Sequence, residues 1–103
     1  MINLSQELLD LRQQLYQTMA DYHRANSVYW SARTKHGAQN LGPLLQSVDV
    51  AAIHFTEALA AFLRYLQRLE PTPDIDQAIK RIKRLQELLR WEIALNYRGI
   101  EPQ

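Results

Sequence analysis

A run of apolar residues between two prolines constrains this chain most. From Pro43 to Pro71, Leu45, Val48, Ala52, Phe55, Leu59, Phe62, Leu66 and Leu69 recur at alternating steps of three and four. A half-buried strand would alternate with a period of two. Steps of three and four draw one stripe along an α-helix, in the heptad spacing of helices packed side by side. Pro43 suits a first helical turn, where its missing N–H is not needed, and Pro71 cannot continue a helix. A second line, Ala51, His54, Ala58, Ala61 and Tyr65, runs beside the first, and Ile53 and Ala60 interrupt even the remaining polar side. A helix this apolar around its circumference is expected to be covered on more than one side, and its alanines would let the covering helix come close.

Upstream, Leu8, Leu11, Leu15, Met19, Tyr22, Asn26 and Tyr29 predict a helix from near Gln6 to near Lys35. Ser5 is placed to cap it, Leu4 and Leu9 to staple its entry, and His36-Gly37 to close it. Downstream, Thr72 reads as an N-cap, Pro73 as the first helical residue, and Asp74 and Asp76 lie near the positive end of the helix dipole. The inner stripe of this last helix is Ile75, Ala78, Ile79, Ile82, Leu85, Leu89 and Ile93. Gly99 is expected to end it, with Ile100 folding back on the last turn. Leu88, Trp91 and Leu95 make a separate apolar patch, offset from that stripe.

The expected fold is therefore all-α: residues 1–103 as one domain, an antiparallel three-helix bundle of long helices, because connections this short force neighbours antiparallel. Its rival is an intertwined homodimer in which the same helices complete their core across a two-fold axis. A chain that is 47% hydrophobic and 22% charged is ordinary for a globular domain and is not a disordered composition. The absence of cysteine excludes disulfides, thiolate metal sites and a cysteine nucleophile, and fits a cytoplasmic protein. The first residues lack the basic segment and apolar run of a secretory signal. The most apolar stretch, Val48 to Leu63, is broken by Asp49, His54 and Glu57 and is too short to span a bilayer. No membrane partner is expected, and a net charge of +1 selects no other partner.

Chemistry-bearing patterns are sparse. His54 and Glu57, at i and i+3, share a helix face and could contribute two metal ligands, but no matching acidic set accompanies them, so a partly buried, hydrogen-bonded His54 is the expectation. His23 and His36 have no acid or nucleophile at a diagnostic spacing. The three glycines are too scattered for a phosphate loop. No catalytic residue, metal, cofactor or small-molecule substrate is expected, and the protein is read as not an enzyme. Two surfaces could bind a partner. Leu88, Trp91 and Leu95 form one, and Trp30 with Arg33, lying off the inner stripe of the first helix, form the other. Lys80, Arg81, Lys83, Arg84 and Arg90 give the last helix a positive face able to neutralise phosphates. The favoured alternative for that face is a solvated surface in which Asp76–Lys80 and Lys83–Glu87 make ordinary i, i+4 pairs. The expected function is a non-enzymatic helical interaction module, a small subunit, adaptor or inhibitor that binds a protein or a second copy of itself. Its alternative is a nucleic-acid-associated small subunit of a ribonucleoprotein complex that uses the basic face.

Overall fold

Three helices hold nearly the whole chain: α1 (Ile2–His36), α2 (Gly42–Leu69) and α3 (Pro73–Ile100). The structure is a computed structural model that describes the backbone of residues 2–37 and 40–100 and the side chains of residues 6–37 and 40–95. At 1.5 Å per residue the 35 residues of α1 span about 52 Å, which matches the longest dimension of the molecule, 54 Å. The radius of gyration of 16.7 Å exceeds the ~13 Å of a rounded domain of this size, because three long helices lie side by side in a rod.

The helix boundaries follow local chemistry. Pro43 sits in the first turn of α2. Gly37 closes α1 with φ 75° and donates its N–H to the Arg33 carbonyl at 2.9 Å. Thr72 caps α3 as its sequence position implies, its Oγ1 accepting from the Ile75 N–H at 3.2 Å. Two ends differ from expectation. The α1 backbone is helical from Ile2, so Ser5 lies inside the helix and does not cap it. The α3 backbone continues through Gly99 to Ile100, so the glycine does not stop it. The proposed fold-back of Ile100 and the Leu4 half of the staple lie outside the described side chains. Leu9, the other half, is largely exposed.

The packing is an open arrangement centred on α2. α1 packs on α2 and α2 on α3, whereas no α1 residue comes within 8 Å of an α3 residue, Cα to Cα, among the described residues. Ala58 and Ala60 show the consequence. They are two residues apart, hence on nearly opposite sides of the helix, and both are buried. Helix α2 is thus covered on two flanks, as its all-round apolarity predicts. The burial falls differently from the heptad reading, however. Of the stripe from Leu45 to Leu69 only Val48 is buried; Leu69 is exposed, and the others are half-buried. The deeply covered positions of α2 are Val48, Asp49, Thr56, Ala58, Ala60 and Tyr65. On α1 the whole inner stripe from Leu8 to Tyr29 is half-buried. Tyr22 reaches across to stack on Phe55, ring centroids 6.3 Å apart and planes inclined by 22°. A single exposed ion pair, Arg68 Nη2 to Glu7 Oε1 at 2.9 Å, joins α2 to α1 among the described residues.

Candidate functional site

The side of α3 that packs on α2 carries Ile75, Ala78, Ile79, Ile82, Leu89 and Ile93, of which Ile82 is buried and the rest half-buried. Leu85 does not belong to this set. It was expected inward, yet it is 46% exposed and stands in line with Leu88 at 57%, Leu95 at 59% and Trp91 at 68%. Steps of three and four from Leu85 to Leu95 keep these side chains on one outer face. The reason is the arrangement of the helices. Because α3 is an edge helix that meets α2 alone, only one side of it can be covered, and its second apolar stripe is left open. The patch read from the sequence is therefore present, and it is longer by Leu85. Beside it, Glu87, Arg90, Trp91 and Ala94 line a shallow depression.

Trp30 and Arg33, the second pair proposed from the sequence, form a separate cluster on α1. Trp30 is 52% exposed. It meets the Tyr29 ring edge-on with centroids 5.3 Å apart, and the Arg33 guanidinium lies 5.2 Å above the Trp30 ring. Arg33 Nη1 also donates to the Tyr29 hydroxyl at 3.1 Å. The two tryptophans are not brought together, since α1 and α3 occupy separate flanks of α2.

The basic residues Lys80, Arg81, Lys83, Arg84 and Arg90 are all exposed. Lys80 Nζ pairs with Asp76 Oδ2 at 3.1 Å, the i, i+4 contact expected for a solvated face. The equivalent pair, Lys83 with Glu87, is not closed among the described residues. At 100° per residue the five cations spread over roughly half the helix circumference, and Arg81 and Arg84 share the outer face with the apolar stripe.

A groove between α1 and α2 is lined by Asp10, Gln13, Gln17, His54, Glu57 and Ala61, among others. His54 is exposed there, contrary to the partly buried position expected, because it lies toward the groove mouth and not between the helices. Thr18 also lines the groove, but its hydroxyl lies 2.9 Å from the Gln14 carbonyl and 3.0 Å from that of Leu15. Its proton is thus committed to its own helix and is not shared with His54. No group of three or more His, Asp or Glu side chains that could hold a metal ion occurs among the described residues, and no described helix is long and apolar enough to cross a membrane.

Sequence reasoning missed two buried polar residues, Asp49 and Thr56. They are seven apart, on the same side of α2 as Ala60. Thr56 is satisfied locally, its Oγ1 lying 2.7 Å from the Ile53 carbonyl. In the sequence Asp49 interrupts an apolar run; its spacing from Ile53 and Ala60, apolar residues on the same side of α2, is the signal that it lies inside. Comparison with protein-family models, with curated proteins and with solved structures gives no match.

Proposed function

We propose that this protein is a non-enzymatic helical interaction module, a small subunit or adaptor of the cytoplasm that works through the outer face of α3. One observation carries the reading: Leu85, Leu88, Trp91 and Leu95 stand 46–68% exposed in one line on an edge helix. Single exposed leucines are normal on a protein surface, whereas a contiguous apolar patch marks a binding surface. A tryptophan at the middle of such a patch is the residue type most enriched at the energetic centre of interfaces. The Trp30–Arg33 cluster on α1 is a smaller second contact of the same kind.

The test is capture from an extract of the native host with the immobilised full chain, comparing the wild type with Leu88→Glu. The reading expects proteins, further copies of the chain included, that the wild type retains and the variant loses. An unchanged set on Leu88→Glu would overturn it. If nucleic acid is recovered instead, and its binding weakens steeply with salt and on replacing Lys80, Arg81, Lys83, Arg84 or Arg90 one at a time, the basic face is the working surface and a ribonucleoprotein subunit is the better account.

A further inference from the structure

We infer that the outer face of α3 binds a second copy of the same face, with the two α3 helices antiparallel about a two-fold axis at Leu88; this rests on the interaction reading above and names its partner. The argument begins with charge. Arg84 lies four residues before Leu88 and Glu92 four after it. Both are exposed, and neither closes an ion pair within its own chain among the described residues. In an antiparallel pair centred on Leu88, each residue faces the one equally far beyond Leu88 in the other copy. Arg84 then meets Glu92 of the second copy, and symmetry repeats the contact. Leu85 stands level with Trp91 of the second copy, Leu88 meets itself, and the aliphatic stem of Arg81 lies along Leu95. A parallel pair would set Arg84 against Arg84, Arg81 against Arg81 and Glu92 against Glu92. The opposite signs at equal distances on either side of an apolar centre are what a self-complementary two-fold interface requires, residue i meeting j and j meeting i.

Access and area agree with this. No other helix meets α3 on its outer side among the described residues, so a second α3 can approach to ordinary helix-packing distance. From their exposures and the usual size of such side chains, the four apolar residues leave on the order of 500 Å² open, near the upper end of what a monomer carries. Two copies cover about 1,000 Å² of this surface, the low end of specific interfaces, which fits a transient dimer and not an obligate one.

Sedimentation equilibrium of the full chain across a wide concentration range tests the inference, with circular dichroism confirming that each variant is folded. The wild type is expected to pass from monomer to dimer. Arg84→Glu and Glu92→Arg should each weaken the dimer by at least about tenfold, because two attractive contacts become two repulsive ones. Mixing the two single variants should restore association as a heterodimer. One variant then carries acids at both positions and the other carries bases at both, so each homodimer repels itself while both contacts of the mixed pair attract. The doubly swapped chain should dimerise like the wild type. A chain that stays monomeric throughout overturns the self-association, while the interaction reading survives if Leu88→Glu still loses captured proteins. A dimer indifferent to the charge changes, or a mixture no tighter than its components, overturns the antiparallel register. If Leu88→Glu alters neither sedimentation nor capture, both the inference and the reading beneath it fall.

Discussion

Replacing Phe55 with alanine probes the joint between α1 and α2. A fully buried phenylalanine changed to alanine costs about 3–5 kcal/mol, through lost transfer energy and the cavity left behind. Phe55 is only half-buried, because its place on the heptad stripe turns it partly away from both flanking helices, and the cost falls accordingly to about 2–3 kcal/mol. Within that total, the stacked contact with Tyr22 contributes about 1 kcal/mol. At 4–8 °C per kcal/mol for a chain near this size, the melting temperature should drop by about 10–20 °C. Urea unfolding followed by circular dichroism, on Phe55→Ala, Tyr22→Ala and the double variant, gives both the total and the coupling. A loss below about 0.5 kcal/mol, as for an ordinary surface substitution, or a coupling indistinguishable from zero, would refute the stacked joint.

Opposite sides of α3 should respond differently to alanine. Ile82→Ala, on the buried side, should cost about 2–4 kcal/mol, whereas Trp91→Ala should leave the stability of the dilute monomer within about 0.5 kcal/mol; equal losses would mean that the helix is rotated. Thr72→Ala should destabilise by about 1 kcal/mol through loss of the cap on the Ile75 N–H, with Thr72→Ser near neutral, both read by urea unfolding. At Gly37 an added Cβ meets nothing within 4 Å, so only the positive φ opposes a side chain. Gly37→Ala should then cost about 1–2 kcal/mol and Gly37→Asn clearly less, and identical midpoints for the two variants would contradict that cause.

The helices were legible in the sequence because their signals are local. Pro43, Thr72-Pro73 and Gly37 act within a turn of where they stand, and the structure places each as expected. The rotation of each helix was less legible, since it depends on what lies beside it. Leu85 and Leu69 follow the inner spacing of their helices but have no neighbour to cover them in an arrangement where α1 and α3 do not meet. Asp49 is the reverse case, an acidic residue that lies inside because it shares its side of α2 with the buried Thr56 and Ala60. The outer patch at Leu88, Trp91 and Leu95 could be read in advance because it departs from the inner stripe by a fixed angle. Its extension to Leu85 could not, because it follows from α3 being an edge.

Solvent access to Trp91 tests the central claim, that the outer face of α3 is open in the monomer and covered in the working assembly. The chain has two tryptophans, so Trp30→Phe leaves Trp91 as the sole indole emitter. Acrylamide quenching of that emission should be strong in dilute solution, as its 68% exposure requires, and should fall as the protein is concentrated, with the fall abolished by Glu92→Arg. Weak quenching in the dilute monomer would contradict the open outer face, and quenching that stays strong at every concentration would contradict its pairing with a second copy.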